Sequence, residues 1–372
     1  MKTLVIISSQ AFSLVNFRGS IISALIKKNI QVYALAPDYT EELRREVSNL
    51  GACPVDFQLS RTGMNPLRDM FSMFRLAVLL RRLRPDVTFS YFIKPVIYGT
   101  LAAWLAQVPH RIALIEGLGY VFTLENPGWQ RKLLRLVVSW LYRVGLSRAH
   151  CVVFLNRDDI AQFVDGGLVD RAKVVRLGGI GVSLNEWSVA PPVQNPVTFL
   201  LVARLLREKG VVEYAEAAKL VKALYPKTRF VLLGDLDSNP SSLSQLEVEG
   251  WVLDGLLEWP GHVNVKPWLA QCSVFVLPSY REGMPRSTQE AMSMGRAIIT
   301  TDVPGCRETV VDGSNGYLVP VRDAVALAEA MKRFIHHPNL IESMGRESRR
   351  MAEERFDVRD VNCRMLKILG VE

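Results

Sequence analysis

Two glutamates in the second half of the chain have the spacing of a site for an anionic, hydroxyl-rich ligand. Glu282 lies in a loop that follows an apolar run ending at Leu277, and Glu290 lies about two turns into a predicted helix that begins near Pro285. A helix N-terminus at the carboxyl end of a strand offers free amides to an anion. The two carboxylates could accept hydrogen bonds from two groups of hydroxyls on one extended ligand.

Short β-rich runs alternate with helical patterns in both halves of the chain. The runs are 4–7, 31–35, 197–202 and 230–234. The first pair flanks a helix predicted from about Gly19 to Lys28, and the second pair flanks one over 211–224. Strands alternating with helices of this length favour parallel sheets with helices on both faces, so we predict the α/β class with two Rossmann-like, doubly wound domains.

A proline-rich segment over 190–196 separates the two halves. Proline lacks an amide hydrogen and resists both helix and central strand, so the domain boundary is predicted there. The predicted domains are residues 1–190 and 191–354. Residues 351–372 are predicted to be helical, with a break near Phe356.

The composition excludes several classes of protein. Hydrophobic residues make up 49% and charged residues 22% of the 372 residues, as in soluble globular proteins. The five cysteines are scattered without a C-x-x-C pair, which predicts reduced thiols in a cytoplasm and neither a disulfide framework nor a zinc site. The apolar run after Thr3 is too short for a signal peptide, and no run is long enough to cross a membrane.

Positive charge is concentrated in the first half, where residues 60–150 contain 13 Lys or Arg and four Asp or Glu. This excess indicates an anionic partner such as nucleic acid, acidic lipid or a diphosphate. No nucleic-acid-binding motif accompanies it, so no nucleic-acid partner is predicted.

The cations lie on two predicted amphipathic helices. The first helix places Arg68, Arg75 and Arg82 opposite Met70, Phe71, Phe74, Ala77 and Val78. The second, over 129–144, places Arg131, Lys132, Arg135 and Arg143 opposite Leu133, Leu136, Val137, Trp140 and Leu141. Two interpretations remain open: helices packed on a sheet with solvated basic faces, or a face that rests on a membrane surface.

Residues 274–295, VFVLPSYREGMPRSTQEAMSMG, resemble the E-x7-E signature of retaining glycosyltransferases of family 4. Residues 201–210, 300–308 and 315–320 also resemble that family, so the resemblance covers most of the second half. It implies the GT-B fold, in which two Rossmann-like domains face a cleft and a C-terminal helix, here 355–372, crosses back to the first domain. It also implies a hexosyl transfer that retains anomeric configuration and needs no cofactor and no obligatory metal.

The resemblance assigns the donor site residue by residue. Arg204 and Lys209 match a basic pair that grips the donor diphosphate, where negative charge grows as the glycosidic bond breaks. Glu282 matches a contact to the sugar hydroxyls, and Glu290 matches the residue that holds the ribose. The remaining donor contacts are made by backbone: Gly283, Met284, Pro285 and, beside the base, His262. The string Asp235–Asp237 we interpret as loop capping, with ligand contact as an alternative.

In the first half, the segment over 16–20 resembles the family's glycine-containing loop between the first strand and the first helix. Gly19 is therefore a candidate donor contact, and Asn16 and Arg18 are candidate acceptor contacts. Residues 116–122 follow another strand and resemble a subgroup that acts in bacterial capsule and O-antigen assembly. They add Glu116, Gly117 and Tyr120 as acceptor-side candidates. Glu116 could be a catalytic base, a sugar contact or a structural carboxylate.

The implied partners are a nucleotide sugar, a polyprenyl-diphosphate-linked saccharide and an anionic membrane surface. UDP with an N-acetylhexosamine is the expected donor, and the expected location is cytoplasmic, on the inner face of the cytoplasmic membrane. Two alternatives remain open: a catalytically inactive sugar-nucleotide-binding partner of another transferase, and an epimerase with the GT-B fold.

Overall fold

The described residues of the computed structural model, which are 2–59, 66–117, 129–237, 239 and 241–371, form two units, each built around its own parallel β-sheet. The first unit extends to Ile180 and also includes the segment that begins at Arg359. The second unit is Gly181–Val358.

The first unit contains a seven-stranded sheet in the order β3-β2-β1-β4-β5-β6-β7, with every pairing parallel. Its strands are β1 (Thr3–Ile7), β2 (Gln31–Ala36), β3 (Cys53–Asp56), β4 (Val87–Tyr91), β5 (His110–Ile115), β6 (Cys151–Phe154) and β7 (Val174–Arg176). Its helices are α1 (Ala11–Asn16), α2 (Gly19–Lys27), α3 (Glu41–Asn49), α4 (Pro66–Leu83), α5 (Thr100–Leu105), α6 (Trp129–Ser147) and α7 (Arg157–Asp165), with a π-helical turn (Pro95–Gly99) before α5.

The second unit contains a six-stranded parallel sheet in the order β10-β9-β8-β11-β12-β13. Its strands are β8 (Thr198–Val202), β9 (Arg229–Leu233), β10 (Glu258–Gly261), β11 (Val274–Leu277), β12 (Ala297–Thr301) and β13 (Gly316–Val319). Its helices are α8 (Val211–Lys222), α9 (Gln245–Leu253), α10 (Val265–Ala270), α11 (Arg286–Ser293), α12 (Ala324–His336) and α13 (Asn339–Arg355). A last helix, α14 (Val358–Ile368), continues into the first unit.

The central strands are apolar on both faces because helices cover both sides of each sheet. Leu4 to Ile7 of β1 and Val274 to Val276 of β11 are fully buried, as expected of strands within a parallel sheet. In each sheet the strand order reverses beside the first strand, between β1 and β4 and between β8 and β11. Ligands of open α/β sheets bind outside the carboxyl ends of the strands at such a reversal. The α/β class and the two Rossmann-like units predicted from the sequence are therefore confirmed.

The division between the units falls earlier than the predicted boundary at residue 190. Residues between Gly181 and the predicted boundary form hydrogen bonds with the rest of the second unit. Ser293 Oγ donates to the carbonyl of Trp187 (2.7 Å), and Arg296 Nη1 donates to that of Ala190 (2.9 Å). Within the proline-rich segment, the carbonyls of Ala190 and Val193 thus accept hydrogen bonds from side chains of the second unit, those of Arg296 and Ser273. Composition alone does not reveal such contacts.

One local prediction for the first unit was wrong. Residues 16–20 do not form the loop after the first strand, because β1 is followed by Ser8–Gln10 and then by α1. Gly19 is instead the buried first residue of α2 and faces the side chain of Leu50. Of the two interpretations left open for the basic helices, packing of their apolar faces on the sheet is disfavoured. Those faces are largely exposed on α4 and α6, whereas residues such as Leu80 and Leu146 make the core contacts.

Candidate active site

The loop after β11 holds Glu282 in a fixed position. Its Oε1 accepts a hydrogen bond from Nζ of Lys209 and another from Oγ of Ser279, at 2.8 Å. Both side chains of the ion pair are mostly buried, at 19% exposed for Lys209 and 15% for Glu282. The sequence predicts both residues for the donor site, and the structure joins them directly. Ser279 was not predicted, although its place two residues after a buried strand is a signal.

The turn that carries Lys209 lies against the loop that carries Glu282 because Gly210 allows it. Lys209 ends a 3₁₀ turn, and Gly210 follows in the left-handed region with φ of 71°. A Cβ at Gly210 would lie 2.1 Å from the carbonyl oxygen of Pro278, so only glycine fits. The amide of Tyr280 also donates to the carbonyl of Glu208 (2.9 Å). The carboxyl ends of β8 and β11 are therefore joined through their backbones.

A third loop, after β12, supports Glu282 from the other side. The amide of Glu282 donates to the carbonyl of Pro304 (3.0 Å). Gly305 has φ of 79°, and a Cβ there would lie 2.2 Å from the carbonyl oxygen of Glu282. No role was predicted for Gly305 from the sequence. A signal was the Pro304-Gly305 pair three residues after the end of the buried strand β12, which is a turn signature.

Glu290 lies on α11 and pairs with Arg286 one turn before it, with Arg286 Nε donating to Glu290 Oε1 at 2.8 Å. Burial raises the pKa of the Glu290 carboxyl above its ordinary value; the Arg286 guanidinium opposes this shift and the Glu186 carboxylate adds to it. Pro285 caps α11 one position before the helix begins. Gly283, Met284 and Pro285 are buried, and the backbone contacts to a donor that the resemblance implies for them stay a prediction.

Arg204 and His262 line one cavity of about 330 Å³ beside the carboxyl ends of β8, β9 and β10. Arg204 Nη1 donates to Oδ2 of Asp237 (2.8 Å), and about half of its side chain is exposed. Asp237 Oδ1 also accepts from the amide of Asn239, and Asp235 Oδ1 accepts from that of Leu236. The Asp235–Asp237 string therefore caps its loop as predicted, and Asp237 in addition orients Arg204.

The first unit holds a buried ion pair at the corresponding reversal of its sheet. Arg18 Nη2 donates to Oε1 of Glu116, and the Arg18 guanidinium lies over the ring of Tyr91 at 4.4 Å. The Arg18 side chain is only 4% exposed, and its buried Nε has no hydrogen-bond partner among the described residues. Ser13 Oγ is 2.6 Å from the hydroxyl of Tyr91. Burial raises the pKa of Tyr91 to about 12, which keeps this hydroxyl neutral.

The other first-unit candidates are scattered. Asn16 is exposed at the end of α1, where its Nδ2 donates to the carbonyl of Phe12 (3.1 Å). Gly117 follows Glu116 with φ of 148°, which favours glycine. Tyr120 lies outside the described residues. No group of three or more His, Cys, Asp or Glu side chains in the described chain could hold a metal ion. Across the same residues, each helix is too short or too polar to cross a membrane.

Comparison with known proteins relates both units to sugar-transferring enzymes. The family described as "Glycosyl transferase 4-like domain" matches residues 17–178, and the one described as "Glycosyl transferases group 1" matches residues 196–337. A Campylobacter jejuni protein, N,N'-diacetylbacillosaminyl-diphospho-undecaprenol alpha-1,3-N-acetylgalactosaminyltransferase, is 30% identical over 97% of this chain and 96% of its own length. The chain belongs to this glycosyltransferase family.

A second curated relative and a solved structure are also similar to this chain. The Escherichia coli UDP-Gal:alpha-D-GlcNAc-diphosphoundecaprenol alpha-1,3-galactosyltransferase is 28% identical over 72% of this chain and 70% of its own. The solved structure of Anabaena HepE in complex with UDP and glucose aligns over 100% of both chains with a TM-score of 0.77 and 15% identity. This likeness shows the fold, so the GT-B architecture predicted from the sequence is confirmed.

Within this glycosyltransferase, the predicted donor residues form three groups rather than one contact network. Lys209 pairs with Glu282, Arg204 lines a cavity with His262, and Glu290 lies on α11 beyond the loop that carries Glu282. All three groups belong to segments that follow β8, β10 or β11. Their roles toward a ligand stay predictions.

Proposed function

We propose that the chain transfers a sugar, with retention of anomeric configuration, from a UDP-sugar to a polyprenyl-diphosphate-linked saccharide in the assembly of a bacterial surface glycan. The proposal of a sugar-nucleotide donor rests on the Lys209–Glu282 pair at the reversal of the second sheet. The proposal of a polyprenyl-diphosphate-linked acceptor is supported by the names of the Campylobacter and Escherichia coli relatives, both of which name an undecaprenyl-diphosphate acceptor.

The leaving group determines what the cations do. When the bond between the anomeric carbon and the diphosphate breaks, negative charge grows on the diphosphate oxygens. Lys209, Arg204 and the backbone amides at the start of α11 are then the groups that stabilise it, and one such donor contributes roughly 3 kcal/mol to lowering the barrier. Because protein cations fill this role, we propose that no divalent metal is required. Turnover should persist in excess EDTA.

Glu282 is suited to hold the donor sugar. Lys209 and Ser279 already bind its Oε1, which leaves Oε2 to accept hydrogen bonds from sugar hydroxyls. A carboxylate held in this way orients the sugar ring while the diphosphate departs. We therefore propose that the leaving-group face does most of the catalysis and that the acceptor approaches on that same face, which gives retention.

The nucleoside would lie beside Arg204. The cavity of about 330 Å³ that Arg204 and His262 line accepts the base, whose edge would meet backbone groups near His262. Glu290 would hold the ribose hydroxyls, and the sugar would be an N-acetylhexosamine or a derivative. On the first unit, Arg18 and Glu116 would contact the acceptor saccharide.

A polyprenyl acceptor remains in a membrane, so we propose that the protein works as a peripheral protein on the inner face of the cytoplasmic membrane. The excess of cations within residues 60–150 supports this location because the lipids of that surface are acidic.

The experiment that tests the function is a thermal-shift screen against UDP, GDP, ADP, CMP and NAD, followed by turnover assays with UDP-sugars and a polyprenyl-diphosphate-linked saccharide. Stabilisation by UDP that is lost in Lys209→Ala and Glu290→Ala, together with product of retained configuration, supports the proposal. A shift with NAD alone overturns it. Stabilisation by UDP without turnover on any acceptor identifies a sugar-nucleotide-binding partner instead.

A further inference from the structure

The helices α4 and α6 each expose a stripe of large apolar side chains with the same helical spacing. On α4 the stripe is Leu67, Phe71, Phe74 and Val78, and on α6 it is Trp129, Leu133, Leu136 and Trp140. Each of these eight side chains is at least 48% exposed. Single exposed hydrophobic residues are ordinary, but two contiguous stripes of this size indicate a surface that something else covers.

The two stripes belong to one layer of the first unit. The segment from the π-helical turn through α5 packs against both α4 and α6, so the three helices lie side by side. Trp104, 40% exposed on α5, lies between the two stripes in the helix order, with the Arg148 guanidinium 4.3 Å from the centre of its ring. We call this layer the α4–α6 face.

The two helices that carry the apolar stripes of the α4–α6 face have an excess of cations. The α4 sequence has four arginines and one acidic residue, and the α6 sequence has four cations and none. The acidic residue, Asp69, is buried and paired with Lys94 at 2.8 Å, so it does not offset the charge of the exposed arginines.

The α4 part of the face shows how apolar and cationic groups combine. A cavity of about 510 Å³ opens there, and its described lining consists of four apolar side chains and two arginines: Phe71, Phe74, Val78, Leu79, Arg75 and Arg82. The Arg75 guanidinium lies 4.8 Å from the centre of the Phe71 ring and also donates to Gln58. Apolar side chains beside guanidinium groups match acyl chains beneath acidic headgroups.

We infer that the α4–α6 face inserts its apolar stripes into the headgroup region of an anionic phospholipid bilayer; the inference rests on the proposed function in that the acceptor is membrane-bound. A second copy of the chain fits less well, because a two-fold contact of this face with itself would bring two sets of cations together. Nucleic acid would pair with the arginines but would leave the leucine and valine side chains in water.

The test is co-sedimentation of the full chain with vesicles of phosphatidylcholine containing 30% phosphatidylglycerol, and with pure phosphatidylcholine vesicles. Two double variants remove apolar side chains while keeping every cation: Phe71→Ser with Phe74→Ser, and Leu136→Ser with Trp140→Ser. The matched control is Leu246→Ser with Leu253→Ser on α9, where both leucines are more than 80% exposed in the second unit.

We expect the parent chain and the α9 variant to bind the anionic vesicles, and each α4 or α6 variant to bind about tenfold more weakly or worse. The inference is overturned if the α4 and α6 variants bind as tightly as the parent, or if the parent binds neither vesicle. It is also overturned if light scattering shows a dimer that these variants dissociate.

The outcome is separable from that of the proposed function. Vesicle binding is measured without sugar nucleotide, and UDP-induced thermal stabilisation of the same variants reports the donor site. If the parent chain shows UDP stabilisation and turnover on a short-chain, water-soluble acceptor but no vesicle binding, only the membrane inference for the α4–α6 face is refuted. If the parent chain binds vesicles but is not stabilised by UDP, only the proposed donor site is refuted.

Discussion

Lys209 and Glu282 are 73 positions apart in the sequence, yet the ammonium of Lys209 donates a hydrogen bond to the carboxylate of Glu282. The turn after β8 and the loop after β11 bring them together, and Gly210 sets how closely these segments approach. Lys209 is thereby held in a mostly buried position before any ligand arrives. A cation positioned in advance loses little side-chain freedom when it binds a diphosphate.

The first prediction is that Lys209→Ala weakens UDP binding about tenfold to hundredfold, the range for a lost hydrogen bond to a charged group. Isothermal titration calorimetry measures it. Arg207→Ala is the matched control, since Arg207 belongs to the same 3₁₀ turn but is half-exposed and pairs with Glu247. Equal losses in both variants would mean that the turn, and not the Lys209 charge, determines binding.

The second prediction concerns Gly305. Gly305→Ala would place a Cβ 2.2 Å from the Glu282 carbonyl oxygen and force the Glu282 loop to move. Gly313→Ala is the control, because Gly313 has nearly the same φ (76° against 79°) and nothing within 4 Å of its Cβ position.

We expect Gly313→Ala to cost about 1 kcal/mol of unfolding free energy, from backbone strain alone. Gly305→Ala should cost about 1–3 kcal/mol more and should also lower kcat/KM for the UDP-sugar. Urea unfolding and steady-state assays measure the two effects. If the variants are equally stable and equally active, contact between Gly305 and Glu282 does not position the loop.

The sequence was most informative where local chemistry determines structure. The strand, loop and helix that carry Glu282 and Glu290 could be predicted because a buried apolar run, a Pro-Gly-rich loop and a helix start follow one another in the chain. The pairing of Lys209 with Glu282 could not, since it depends on the order of strands in the sheet. The same holds for Arg204 with Asp237 and for Arg18 with Glu116.

The α4–α6 face shows a different limit. A period of 3.6 residues identifies an apolar side of a helix, but it does not identify what covers that side. On α4, Phe71 and Phe74 have the helical spacing expected of residues in the core, but both are exposed. Leu76 and Leu80 are the residues that are buried in the core. Membrane and core both select apolar residues, so only the fold separates the two interpretations.

The third prediction is that UDP-sugar affinity falls on acidification and that the fall begins above the ordinary glutamate range, because burial raises the pKa of Glu290. Protonation removes the negative charge that strengthens hydrogen bonds accepted from the ribose hydroxyls. UDP-N-acetylglucosamine is a suitable probe, since its diphosphate is doubly esterified and does not titrate near neutral pH. Glu290→Gln should bind more weakly throughout and lose this dependence; a profile parallel to that of the parent would contradict the assignment.

The same shift has a consequence for stability. A carboxyl whose pKa is raised on folding binds more protons in the native than in the unfolded chain between the two pKa values. Its contribution to the free energy of unfolding therefore falls as pH rises through that window. In urea unfolding from pH 4 to 7, the raised pKa of Glu290 makes the free energy of unfolding fall with rising pH. Glu290→Gln lacks this contribution, so its free energy of unfolding should fall less with rising pH than that of the parent chain.

The fourth prediction concerns the buried pair of the first unit. Arg18→Ala leaves the Glu116 carboxylate without its guanidinium partner and uncovers Tyr91, so we expect a loss of about 3 kcal/mol in unfolding free energy. Arg18→Lys should recover only part of this loss, because an ammonium lacks the planar surface that stacks on Tyr91. Complete recovery would show that charge alone matters at this position.

Glu116→Gln distinguishes the three roles open to Glu116, because the amide oxygen can still accept from Arg18 while the charge is lost. A contact to the acceptor saccharide predicts a raised KM for the acceptor with kcat nearly unchanged. A general base predicts a fall in kcat of about 100-fold or more, and a structural carboxylate predicts lower stability with both constants retained. We expect the first result, with UDP affinity unchanged, because Glu116 is mostly buried against Arg18 yet keeps 17% of its side chain exposed.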